Sequence, residues 1–370
     1  MNNEAQEVFF ELLRIGLWGR LYGATFKPAP VVNWNEVYQL AEEQSAVGLV
    51  AAGIEVLNVE MPLNLKLQFV GATLQMEQRN RAMNQFIERL VGDLRKKNIY
   101  ILLVKGQGIA QCYERPLWRT CGDIDLLISS SEYEKAKRYL TPAATTVDKE
   151  ETMRLHLGMT LEGWIVELHG TLLTVISRSL NKVVHSVQNA IFLSGEVRSW
   201  ENGKTMVYLP SPGNDAFLVF AHILEHFYVG GIGLRQICDW CRLLWTYRET
   251  IDVSLLEKRL REAKVMTEWK GFAAFAIDYL RMPLEAMPFY EDSRKWHKKA
   301  KKLRNLILET GNFGHNKDES YRRNYSKKKA LVITFRRRVS EYGRLFSIFP
   351  SNASRIFVMY VLGRVRANLR

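Results

Sequence analysis

Gly122-Asp123-Ile124-Asp125-Leu126-Leu127-Ile128 sets two carboxylates around one apolar residue at the head of an apolar run. In an extended strand, residues i and i+2 face the same way, so Asp123 and Asp125 project together while Ile124 turns to the core. Two acids a few ångströms apart repel strongly unless a cation sits between them. The pattern therefore suits a divalent metal, Mg²⁺ (or Mn²⁺), which prefers hard carboxylate oxygens and brings phosphate with it. An exposed acidic strand end is the plainer reading of an isolated Asp-x-Asp, so the flanking sequence has to decide.

Upstream, Tyr100-Ile101-Leu102-Leu103-Val104 is an apolar run of strand length, followed by Lys105-Gly106-Gln107-Gly108 and the helix-compatible Ile109-Ala110-Gln111-Cys112-Tyr113. That order reads as strand, tight turn, helix. Glycines in such a turn let backbone approach a ligand, and amides opening a helix favour phosphate. The order of a P-loop, with four residues between a first Gly and Gly-Lys-Ser/Thr, is absent. Downstream, the alternation of Trp164-Ile165-Val166-Glu167-Leu168-His169 puts Ile165, Glu167 and His169 on one face, which makes Glu167 a candidate third carboxylate on a neighbouring strand.

Taken together, Lys105-Gly106-Gln107-Gly108, Tyr113, Pro116, Arg119, Gly122-Asp123-Ile124-Asp125 and Glu167-Leu168-His169 resemble the polymerase-β-type nucleotidyltransferase superfamily. More narrowly, they resemble the bacterial family of uncharacterised nucleotidyltransferase proteins. The resemblance extends to Asn214-Asp215-Ala216 through Asp239 and to Gly311-Asn312-Phe313-Gly314, covering roughly residues 30–320. It implies an α+β fold with a small mixed sheet, flanked by N- and C-terminal helical regions. It also implies transfer of a nucleoside monophosphate from an NTP to an acceptor hydroxyl or phosphate. Asp123 and Asp125 would then hold metal bridging the triphosphate, and Glu167 would bind a second ion. Lys105, Gly106 and Gln107 would line the phosphates. Arg119 would neutralise phosphate, orient the Asp pair or form a structural ion pair. One position departs from the superfamily: Gln107 stands where Ser or Gly usually follows the first glycine. That motivates the alternative of a catalytically inactive nucleotide-binding or regulatory protein of the same fold.

The chain has 370 residues, 47% hydrophobic and 25% charged, enough to bury a large core. Four cysteines without paired spacing and an N-terminus lacking a basic leader predict a reducing, cytoplasmic compartment. No run is long and apolar enough to span a bilayer; Ile356-Phe357-Val358-Met359-Tyr360-Val361-Leu362 is the nearest. The net charge of +13 is concentrated: residues 294–370 carry 21 Lys and Arg against 4 acids, while residues 1–293 balance at −4. Such a region suits nucleic acid, anionic lipid or another polyanion, and so motivates a peripheral, membrane-associated assembly factor as a further alternative. However, Arg336-Arg337-Arg338 sits beside Val332, Ile333, Phe335 and Val339, which favours an amphipathic helix covering the core. The interleaved Tyr321, Arg322, Arg323 and Tyr325 hint at nucleic acid without any recognised binding module.

Three zones follow: a helical region over residues 1–95, an α/β core over 96–210 and a helical region over 211–370. Asn35-Glu36-Val37 is expected to open a helix. A long amphipathic helix from Met61-Pro62 through Leu94 is expected to turn Leu74, Phe86, Ile87 and Leu90 to one side. Ser131 and Ser211 are the expected caps of later helices. His222-Ile223-Leu224-Glu225-His226 matches one metalloprotease signature, but a zinc protease would leave Asp123, Asp125 and Glu167 without a role. With His169 and Arg235, His222 and His226 are read as lining a substrate pocket. Cys238 and Cys241 read as buried and inert, and Arg235 with Asp239 as a one-turn ion pair. The acceptor and the oligomeric state stay open.

Overall fold

The computed structural model describes residues 3–19, 32–312 and 327–368. Phe313, Gly314 and the Tyr321–Tyr325 stretch lie outside the described residues.

The first helices are α1 (Asn3–Trp18), α2 (Trp34–Glu43), α3 (Val47–Leu57) and α4 (Leu63–Lys96). The cap of α2 is Asn33, whose side chain accepts from Glu36 N, so the helix opens just ahead of the expected Asn35. Helices α1 and α3 cross with backbone nearly touching, because Gly16 and Gly53 supply no Cβ at the crossing. The 34-residue α4 serves two cores. Leu65 and Phe69 join the helical core, while Met83, Phe86, Ile87, Leu90, Val91 and Leu94 pack under the sheet. Leu74 does not share that side; it is 62% exposed. Twelve residues separate it from Phe86, which at 3.6 residues per turn leaves it about a third of a turn off the buried stripe.

The sheet-bearing part comprises β1 (Leu102–Val104), α5 (Gly106–Ala110), β2 (Asp123–Leu127), α6 (Tyr133–Leu140), β3 (Thr146–Val147), β4 (His156–Leu161), β5 (Trp164–His169), α7 (Arg178–Ser194), β6 (Val197–Asn202) and β7 (Thr205–Pro210). The seven-stranded mixed sheet has the order β3-β4-β5-β2-β1-β7-β6. Strand β2 runs antiparallel to β1 and parallel to β5, and this brings Asp125 level with Glu167. Helix α6 starts without a side-chain cap, Ser131 bonding Ser129 instead.

Helices α8 (Pro212–Val229), α9 (Leu234–Thr246), α10 (Val253–Glu262), α11 (Met266–Leu280), α12 (Arg294–Thr310), α13 (Lys327–Ile348) and α14 (Pro350–Asn368) follow. Ser211 occupies the cap position of α8 without a side-chain bond. The helices from both ends of the chain share one apolar core, with Phe9, Trp18, Phe220, Trp240, Trp269 and Phe272 fully buried. The basic α12 is amphipathic: Trp296, Ala300, Leu303 and Ile307 face the core, while Lys298, Lys301 and Lys302 face solvent. Helices α13 and α14 add Leu345, Ile348, Phe349, Ala353 and Ile356 to that core. Val339, expected on the packed face, is 42% exposed, as is Phe346 at 53%, and Phe357 is half-buried against Tyr342. The side chains of Val332 and Phe335 lie outside the described residues. Among the described residues no helix is long and apolar enough to cross a membrane.

Candidate active site

The site lies where the exposed face of β2 and β5 meets α8 and α9, around a cleft of about 450 Å³. Period-2 alternation sends Ile124, Leu126, Val166 and Leu168 into the sheet core and leaves Asp123, Asp125, Glu167 and His169 on the cleft side. Oxygens of Asp123, Asp125 and Glu167 lie within 4.8 Å of one another, as do ligating atoms of His156, Glu167 and His169. Neither group includes His222 or His226.

Lys105 and His169 offset part of this negative charge. Lys105 Nζ donates to Asp125 Oδ1 at 3.0 Å, and His169 Nε2 lies 2.9 Å from the same oxygen. Burial alone would raise the Asp125 carboxyl, but Lys105 and His169 outweigh it and hold it below the usual range. Asp123 moves the other way: burial first, then the charge of Asp125, raise it. Glu167 is held far below its ordinary value by hydrogen bonds from His156 and His169. Burial disfavours charge on His169, yet its bonds to Asp125 and Glu167 prevail and raise its pKa.

The β1–α5 turn delivers Lys105 by an unusual backbone. Lys105 sits at φ 58°, ψ −144°, close to a region open essentially to glycine, and Gly106 follows at φ 44°. The two expected phosphate-approach glycines differ in role. Gly106 lines the cleft, whereas Gly108 lets α5 pack on β7, since a Cβ there would come within 2.5 Å of Leu209 Cδ2. Gln107 turns away from the cleft. Its Nε2 donates to Asn80 Oδ1 at 2.8 Å in a buried network, so its side chain is not among those that line the cleft.

Arg119 neither touches the Asp pair nor leaves Asp239 to Arg235. Its Nε and Nη2 grip Asp239 Oδ1 and Oδ2 at 3.0 and 2.6 Å, and Tyr113 donates to the same carboxylate. Arg235 instead donates from Nη1 to Thr120 O at 3.0 Å. The expected one-turn pair of Arg235 and Asp239 is therefore replaced by a bidentate bond from Arg119. Across the cleft, His222 and His226 meet Nε2 to Nε2 at 3.0 Å. Burial, then Lys105, lowers both: His222 falls well below an ordinary imidazole and His226 to about 4, leaving the pair neutral near pH 7.

Sequence reasoning missed His156 and Asn80. His156 stands opposite His169 in the β4–β5 register and stacks on it, ring centroids 4.7 Å apart. The signal was present: Glu162-Gly163 between two alternating runs is a tight hairpin turn, and both residues adopt positive φ. Asn80 donates to the carbonyls of Leu117 and Arg119 from α4, and no local pattern marks it. All four cysteines are free and buried, and burial raises the thiols of Cys238 and Cys241, as expected of inert residues.

Fold and cleft together define a mixed α/β protein whose converging carboxylates face Arg119, Arg235 and a histidine pair across one cleft. A family profile described as uncharacterised nucleotidyltransferase matches residues 30–277, two thirds of the chain. The chain belongs to that family. No curated protein and no solved structure matches it.

Proposed function

We propose that this protein is a metal-dependent nucleotidyltransferase that moves a nucleoside monophosphate from an NTP to an acceptor, on a polymerase-β-like core. The observation that carries this reading is the convergence of Asp123, Asp125 and Glu167 from parallel strands onto one cleft. The donor set fits a divalent ion. It offers hard oxygens within 4.8 Å, and two of them, on the partly buried Asp123 and the buried Asp125, repel each other until a cation intervenes. A bound Mg²⁺ or Mn²⁺ would neutralise triphosphate charge and acidify the acceptor.

The residues of the chain supply the rest. His169 and His156 hold the Glu167 carboxylate in orientation, and His169 does the same for Asp125. Lys105, about a quarter exposed at the cleft, reaches both the carboxylates and the space a phosphate would fill. The neutral His222–His226 pair faces them and offers imidazole nitrogens as hydrogen-bond partners for an acceptor.

The test is calorimetric titration of a non-hydrolysable NTP with Mg²⁺ or Mn²⁺, paired with an assay for released pyrophosphate. Asp123→Asn with Asp125→Asn should abolish metal-dependent binding; unchanged binding in that double variant refutes the site. A second reading, nucleotide binding without turnover, is favoured by one observation. Gln107, at the position where the superfamily carries Ser or Gly, turns its side chain into the core and gives the cleft no hydroxyl. Tight NTP binding with no pyrophosphate release across acceptors would establish it.

A further inference from the structure

The helical wall of the cleft carries a set of donors that the carboxylate chemistry leaves unused. Arg119 Nη1, Arg235 Nε and Gln236 Nε2 are buried and have no acceptor among the described residues. All three residues line the same cleft. Arg119 and Gln236 are each 5% exposed. The orientation of the Gln236 amide is settled, because its Oε1 accepts from Gly233 N at 3.0 Å. Arg119 spends Nε and Nη2 on Asp239, so its remaining nitrogen, Nη1, is the one left over.

Charge tells the same story. Arg119 and Arg235 stand close enough for Arg119 to depress Arg235, after burial, while Asp239 is committed to Arg119. The other carboxylate whose charge acts on Arg235 is Asp123, which the reading above commits to metal. A buried guanidinium short of a counter-charge is costly unless a ligand supplies one. The buried atoms left unpaired on this wall are donors; the unpaired side-chain oxygens of Asn84, Gln107, Asn214 and Asn312 belong to residues outside the cleft. A ligand rich in acceptors and negatively charged matches that inventory, and guanidinium groups match phosphate oxygens in geometry.

We propose that Arg119, Arg235 and Gln236 form an oxyanion subsite that seats a phosphate group opposite the carboxylates. This deepens the nucleotidyltransferase reading and rests on it for the commitment of Asp123 to metal and for which substrate brings the phosphate. That is either the terminal phosphates of the NTP or a phosphate carried by the acceptor.

The experiment uses the full chain without metal or nucleotide, so that it stands apart from the carboxylate test. Inorganic phosphate and pyrophosphate are titrated by calorimetry and by thermal shift, in phosphate-free buffer, for wild type and Arg235→Met. Wild type should bind and melt higher with phosphate. Arg235→Met should weaken binding by at least about tenfold, and its melting should no longer respond to phosphate. In phosphate-free buffer the variant should melt at or above the wild type, since Met fills the volume without a buried charge. That rise separates the proposal from a folding defect, and Arg235→Lys should recover part of the binding. Repeating the titration with saturating NTP analogue and Mg²⁺ identifies the source. Phosphate that binds alongside the nucleotide points to a phosphorylated acceptor, and phosphate that is displaced points to the triphosphate. Equal phosphate binding by wild type and Arg235→Met, or none by either, overturns the proposal.

Discussion

Lys105 is a strained residue, and its strain is separable from its charge. At φ 58°, ψ −144° its Cβ crowds the backbone, a conformation that costs a non-glycine residue about 1–3 kcal/mol. Lys105→Ala and Lys105→Gly both remove the Nζ that donates to Asp125 Oδ1 at 3.0 Å, so the lost ion pair cancels between them. Only the backbone differs. Glycine relieves the strain but returns about 0.5–1 kcal/mol of chain entropy to the unfolded state. With strain in the middle of its range, about 2 kcal/mol, Lys105→Gly should therefore be more stable than Lys105→Ala by about 1–1.5 kcal/mol. Urea unfolding of both variants at pH 7, read as midpoint at constant slope, measures the difference. An Ala variant as stable as the Gly variant would refute the strain assignment and show that the turn relaxes freely. The strain has a structural purpose: this backbone aims the Lys105 stem back across the turn to the β2 carboxylates.

Three further outcomes follow from packing and charge. Phe349→Ala should cost about 3–5 kcal/mol by thermal or chemical unfolding, because the ring is 1% exposed between Phe227 and Phe272 and anchors the C-terminal helices. Loss of only surface-like stability would instead favour a loosely attached basic tail. Gly53→Ala brings a Cβ within 2.1 Å of Leu12 O, so the α1–α3 crossing must open. The expected net loss, about 2 kcal/mol or more, exceeds the ~1 kcal/mol of helix propensity that Ala gains, and a neutral result in unfolding experiments would contradict the close crossing. His297 bonds Asp278 and Asp292, and those bonds raise its pKa despite some burial. A raised folded pKa contributes stability that is full below about pH 6.5 and fades as pH rises through the folded value. The stability gap between wild type and His297→Gln should thus shrink from pH 6 to pH 9 in urea melts, and a gap that grows with pH would be inconsistent with the contact.

Local chemistry made much of this protein legible from its residues alone. Alternation decided that Asp123 and Asp125 share a face, and that Glu167 and His169 share the corresponding face of their strand, because the side-chain period of a strand is two wherever it lies. The cysteines are buried as read from the sequence, whereas Val339, expected on the apolar face of a basic helix, is 42% exposed. Partnership was not readable. Which cation meets Asp239 depends on a contact across 120 positions: Arg119 grips it, while its helical neighbour Arg235 turns to the Thr120 carbonyl. Gln107 turned inward because Asn80, 27 positions upstream on α4, accepts its amide. The orphaned donors of Arg119, Arg235 and Gln236 exist only because tertiary packing buries them together. Sequence determines which way a side chain faces along its own element; burial and charge partners belong to the space between elements, and there only the fold decides.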